Sequence, residues 1–194
     1  MTVTDSGFGA YDVRGVYPDQ VNEQLAYRIG RSFPTLFHAE TVAVGHDIRL
    51  SGPALRDALV KGLTEAGCNV VDIGQCGTEM IYFTTAHLGL DGGIMITASH
   101  NPKQYNGMKF VRAESRPISS DTGLKDIAAM AVGETYPAPA RSAGHVEKKD
   151  ILDEYVKHIL SYVDVSKLKP YKIVVNTGNG AAGPIINAME KFLP

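Results

Sequence analysis

Long apolar runs, an excess of one charge and a supply of cysteine are all missing from this chain, and each absence excludes a class of protein. No stretch is apolar for long enough to span a bilayer, and the opening MTVTDSGFGAYDVRG has neither the basic start nor the apolar centre of a secretory signal. A cytoplasmic protein with no membrane partner is therefore expected. Nineteen Lys+Arg against 21 Asp+Glu give a formal net charge of -2 and a pI near 6.3, which offers no basic field to nucleic acid. Cys68 and Cys76 flank NVVDIG without the spacing or companion ligands of a zinc site, so they read as reduced structural thiols. The six histidines are scattered, which leaves any metal to oxygen ligands. No internal repeat, low-complexity tract or GxSxG elbow occurs, and the last of these makes a serine hydrolase the weaker enzyme reading. The sequence assigns no oligomeric state.

What is present is a chain of 194 residues, 44% hydrophobic, enough for one substantial domain or one domain and part of another. A helix is expected from Asn22, with Leu25, Ile29 and Phe33 on one face, until Pro34 kinks or ends it. VAVG from Val42 reads as a strand. Ser51-Gly52-Pro53 then opens a helix with Leu55, Leu59 and Leu63 on one face, Gly67 stops it, and NVVDIG is the next strand. Thr78 is placed to cap a third helix through about His87, leading to the strand GGIMI, and Asp121 to cap another that carries Leu124, Ile127 and Met130. The pattern predicts a sheet with helices on both faces. GETYPAPARSAGH, residues 133–145, breaks the periodicity and is the expected junction between domains of residues 1–145 and 146–194. Beyond it a helix from near Asp150 should present Leu152, Val156, Ile159 and Val163, YKIVV should be a strand, and TGNGAAG should turn into a last helix. One helix, one strand and a partial helix make an incomplete second α/β domain.

The segment TASHNPKQYNGMKF, residues 97–110, carries the chemistry. Ser99 ends an apolar strand, and Asn106-Gly107 is expected to turn the chain into a second strand that brings Lys109 back towards it. A serine hydroxyl becomes a useful nucleophile only when a base, a positive charge or a metal supports it, and lysine can stabilise phosphate charge or exchange a proton. Asp47 and Arg49 follow a strand, where a ligand site or a bracing ion pair would both fit; the brace is the favoured reading. TGNGAAG lacks the lysine and hydroxyl residue of a Walker loop and reads as architectural.

TASHNP followed by YNGMK resembles the phosphoserine loop of the alpha-D-phosphohexomutase superfamily. The likeness continues through YDVRG, DIRLSG, GTEMIYFTTAHLGLDGG, RPIS and VVNTGNGAAGP in the family's order, and GTEMIYFTT is most similar to the bacterial phosphomannomutase branch. The resemblance implies a three-layer α/β/α domain with a mixed sheet. It also implies interconversion of hexose 6- and 1-phosphates, of mannose in that branch, through phospho-Ser99 and a hexose 1,6-bisphosphate that serves as activator. Within it Ser99 is the phosphoryl carrier and a magnesium ligand, Lys109 the proton-transfer or phosphate-stabilising residue, Arg14 a catalytic phosphate contact and His100 a further catalytic residue, while Tyr11 and Asn101, with Arg14 and Lys109, bind the substrate. The family's magnesium-binding DGDxDR loop and its sugar-selecting glutamate loop do not occur in these residues, so the chain alone is expected to be an inefficient mutase. Phosphoglucomutase, phosphoglucosamine mutase and a non-catalytic interaction fragment are the alternatives.

Overall fold

In the computed structural model, which describes residues 3–178 and 180–194, apolar residues alternate along each central strand and feed two separate cores. Strand β1 spans Val13–Val16, β2 Thr41–His46, β3 Asn69–Gln75, β4 Gly92–Ile96, β5 Tyr105–Arg112, β6 Arg116–Pro117 and β7 Val146–Lys148. They form one seven-stranded sheet in the order β1-β5-β4-β2-β3-β7, with β6 beside β5. Neighbours among β4, β2, β3 and β7 pair in parallel, whereas β5 is antiparallel to both β4 and β1. The sheet is therefore mixed.

Helices cover both faces. Val42, Val44, Val70, Ile94, Ile96, Met108 and Phe110 face α1 (Glu23–Phe37), α2 (Gly52–Glu65) and α4 (Leu124–Gly133). Ala43, Val71, Met95 and Val111 face α3 (Thr78–His87), α5 (Leu152–Leu160) and α6 (Ala182–Met189). Because strand side chains alternate with period two, this odd–even division is what a sheet buried on both sides requires. Where α1 crosses α2, a Cβ on Gly62 would overlap the Tyr27 carbonyl oxygen, so the missing side chain sets the helix separation. Among the described residues no helix is long and apolar enough to cross a membrane.

Several local expectations change. Asn22 does cap α1, its Oδ1 accepting from the Leu25 N–H at 2.9 Å, but the helix runs past Pro34 to Phe37. The proline forfeits one backbone bond, and Phe37 packs at a tilt against Phe33, 4.9 Å between ring centroids, which supports the final turn. Gly77, not Thr78, is the N-cap of α3. Ser119 and Thr122 form a capping box ahead of α4, so Asp121 is not the cap, and Ala131 joins Leu124 and Ile127 in the core while Met130 stays half-buried. Asn106-Gly107 lies inside β5 rather than at the turn. A Cβ on Gly107 would overlap the Val13 carbonyl oxygen, so β1 can approach only a glycine.

After the 133–145 connection, β7 adds to the same sheet beside β3, and α5 buries Tyr155 and Val156 against it. Val163 lies past the end of α5 and is exposed. YKIVV forms no strand: Tyr171, Ile173, Val174 and Val175 are exposed, and no strand pairs with them among the described residues. The expected turn at 177–183 includes Asn179, which lies outside the described residues; Gly178 has φ 58° and α6 follows.

Candidate active site

The carboxyl ends of β2 and β4 form the rim from which the chemistry-bearing loops rise. These neighbouring strands send the chain in opposite directions, β2 through α2 to β3 and β4 directly to β5, and such a switch point opens a crevice for ligands in α/β sheets. The loop 97–104 joins β4 to β5, and β1 lies alongside residues 105–108 just beyond the end of β4.

Ser99 sits exposed in this loop with φ 54°, in the left-handed region. A non-glycine residue there costs roughly 1–2 kcal/mol, so the surroundings must hold it. The Ser99 N–H donates to Thr97 Oγ1 at 2.8 Å, and Thr97 Oγ1 donates to Asp47 Oδ2 at 2.7 Å. Arg49 Nε donates to the same Asp47 oxygen at 3.2 Å, so Asp47 and Arg49 are the bracing pair the sequence favours. Ser99 Oγ and His100 Nδ1 are 3.4 Å apart, a long contact between two exposed groups.

Around β1 a second polar cluster forms. Val13 pairs with Met108, which puts Asp12 across from Lys109, and the two make an ion pair at 3.2 Å. Arg14, two residues on and therefore on the same face as Asp12, reaches the same carboxylate at 2.6 Å. Its other terminal nitrogen donates to Asn101 Oδ1 at 2.7 Å, which links β1 to the Ser99 loop. The structure thus brings Arg14, Asn101 and Lys109 together, with Ser99 and His100 on the same loop as Asn101. Lys109 and Ser99 share no hydrogen bond among the described residues. Tyr11 stands apart, 76% exposed and with no hydrogen bond among those residues.

Asp12 is the member that sequence reasoning missed. Its signal was a carboxylate two residues before Arg14 within YDVRG, but its pairing with Lys109 needs the register of a short strand that the sequence does not announce. Two cations and one carboxylate at a rim leave a net positive surface facing the loop, suited to phosphate oxygens.

Magnesium does not fit the donors present. Among the described residues no group of three or more His, Cys, Asp and Glu could hold a metal ion, and Ser99 Oγ would give one oxygen to an ion that takes six. The cysteines lie elsewhere, in the core. Burial, with a smaller effect from Asp91, pushes the Cys68 thiol up to about 12, and burial, reinforced by Glu79, Asp72 and Asp47, does the same to Cys76. Both are inert protonated thiols at neutral pH.

Known proteins resemble this chain in sequence and in fold. The family model described as phosphoglucomutase/phosphomannomutase, alpha/beta/alpha domain I, matches residues 5–136. A phosphomannomutase of Salmonella montevideo is 50% identical over 187 residues, covering 96% of this chain and 41% of its own. One from Escherichia coli K12 is 48% identical over 184 residues, 94% of this chain and 40% of that protein. A solved phosphoglucomutase/phosphomannomutase family protein from Burkholderia thailandensis superposes with a TM-score of 0.88 at 34% identity, covering 99% of this chain and 43% of its own. The chain spans about two fifths of the length of these relatives. With the family's first-domain signature over residues 5–136 and its three-layer architecture in place, the chain belongs to the phosphoglucomutase/phosphomannomutase family.

Proposed function

We propose that this chain carries the phosphoryl-transfer centre of a phosphomannomutase, with Ser99 as the carrier between mannose 6-phosphate and mannose 1-phosphate. The observation that supports this best is the convergence of Lys109 and Arg14 on Asp12, tied through Asn101 to the loop that displays Ser99. The relatives named phosphomannomutase favour mannose as the sugar.

In the proposed cycle phospho-Ser99 meets a hexose monophosphate. The sugar hydroxyl oxygen attacks phosphorus, the bond from phosphorus to Ser99 Oγ breaks, and a hexose 1,6-bisphosphate results. Charge spreads over the phosphoryl oxygens in the transition state, and Arg14 can grip those oxygens with paired N–H groups. Lys109 Nζ passes a proton to Asp12 and takes the hydroxyl proton in its place, while the departing Ser99 oxygen, exposed in its loop, takes a proton from water; the second transfer runs both exchanges in reverse. The bisphosphate turns, its other phosphoryl group returns to Ser99 Oγ, and the freed sugar oxygen regains a proton. His100, Tyr11 and Asn101 line the approach to the sugar. Magnesium enters no step here, because its site would need donors other than these; Ser99 is the one oxygen of this chain expected to meet it. The complete cycle belongs to a protein of the relatives' length, and the carrier step is assigned to this chain. We place it in the cytoplasm, with a phosphosugar as its partner and no nucleic acid.

The test is peptide mapping of the chain by mass spectrometry after exposure to mannose 1,6-bisphosphate, with Ser99→Ala as control. A phosphoryl group on Ser99, absent from a folded Ser99→Ala variant, is expected; phosphate elsewhere, or equal uptake by the variant, refutes the assignment. Lys109→Met should slow uptake by about a hundredfold to ten-thousandfold with little loss of stability. Glucose and glucosamine bisphosphates in parallel, on a protein of the relatives' length, decide the sugar.

A further inference from the structure

All the side-chain donors of Arg49 are committed to the protein. A guanidinium offers five N–H groups in a fixed plane. Nε donates to Asp47 Oδ2 at 3.2 Å. One terminal nitrogen donates to the carbonyls of Pro102 and Tyr105, each at 2.8 Å, and the other to those of Ser99 at 2.9 Å and Asn101 at 2.7 Å. Its side chain is 11% exposed; the bonds to Asp47, Tyr105 and Asn101 are partly buried, and those to Ser99 and Pro102 lie at the exposed edge of the loop.

The four carbonyls span the whole loop from Ser99 to the first residue of β5. Asp47 completes a closed circuit: it accepts from Arg49 and from Thr97 Oγ1, and Thr97 Oγ1 accepts the Ser99 N–H. Ser99 is thus held through both its peptide groups, on the amide side by Thr97 and on the carbonyl side by Arg49, in the left-handed conformation that serine does not favour.

We infer that Arg49 is the positioning residue for the Ser99 hydroxyl, fixing the loop's shape through its backbone and making no contact with substrate. This rests on the reading of Ser99 as phosphoryl carrier. Lysine cannot replace it, since three donors on one nitrogen cannot reach four carbonyls arranged around a plane.

The experiment combines amide hydrogen exchange with the rate of phosphoryl uptake from mannose 1,6-bisphosphate, on the wild-type chain and on Arg49→Lys. Exchange across residues 99–105 should accelerate about tenfold or more while the helices α1 and α2 keep their protection. The maximal rate of uptake on Ser99 should fall about a hundredfold, as expected for a misplaced reacting group, with the half-saturating bisphosphate concentration unchanged. Unchanged loop exchange, or an unchanged maximal rate with weaker half-saturation, overturns the inference; the latter would make Arg49 a substrate ligand. Thr97→Val opens the same circuit with Arg49 intact and should give the same pattern, which guards against misfolding of Arg49→Lys. Failure of the wild-type chain to take up phosphate would sink the carrier reading, and loop exchange would then decide alone whether Arg49 holds the loop.

Discussion

Strand β2 and the segment 171–175 are built from the same kind of residue, TVAVGH in one and YKIVV in the other, yet only the first is a strand. In β2 the residues Val42, Ala43 and Val44 are fully buried, with a parallel neighbour on each side and a helical layer on each face. In the second segment Val174 is 91% exposed and has no neighbouring strand among the described residues. The difference lies outside both segments. A β-branched run fits a pleated, buried surface, and without a ladder to join it gains neither hydrogen bonds nor burial.

The comparison can be broken most directly through the core that encloses β2. Leu59→Ala, at a fully buried position of α2, should destabilise by about 2–5 kcal/mol, read as a lower urea midpoint with an unchanged slope. Val174→Ala should stay within about 0.5 kcal/mol. A Val174 effect as large as that of Leu59 would mean that residues 171–175 are packed in solution.

A smaller effect is expected at the entry to the core. Asn22→Ala removes the oxygen that accepts from the Leu25 N–H and should cost about 1 kcal/mol by the same measurement. No loss would show that another group takes over this cap.

A dependence on pH confined to the alkaline limb is also expected. The folded pKa of Cys68 and of Cys76 is raised from 9.0 to about 12, so the native state keeps protons that the unfolded chain releases in that interval. Stability from these thiols is complete below about pH 9 and is lost as pH rises towards 12. Burial also raises Tyr82 and Tyr155, so the thiol share is isolated by Cys76→Ala, whose stability should fall less steeply on that limb. An identical slope would assign the alkaline loss to other groups.

Much of the architecture was legible because it repeats along the chain. Leu25, Ile29 and Phe33, and Leu55, Leu59 and Leu63, announce helices whose buried face follows from spacing alone, and all six are buried. The errors arose where a residue's role depends on a distant partner. Asn106-Gly107 has the composition of a turn, but the Asn106 amide donates to Ser51 Oγ, 55 residues away, and the pair becomes strand. β1 has only four residues, too few to show a period, so the pairing of Asp12 with Lys109 stayed hidden while Ser99 and Lys109 themselves were plain. Val163 has the helical spacing of its predecessors, but α5 ends at Leu160 before reaching it.

Gly107 finally sets a tolerance for the whole rim. Its missing Cβ lets the Val13 carbonyl settle against β5, and Asp12 and Arg14 flank Val13 in the chain. A single methyl group at this position would act as a wedge, lifting β1 from the sheet and carrying a carboxylate and a guanidinium away from Lys109 and Asn101 together. The sheet's edge and the alignment of the charged groups are gauged by the same empty space, so drift in one cannot occur without drift in the other.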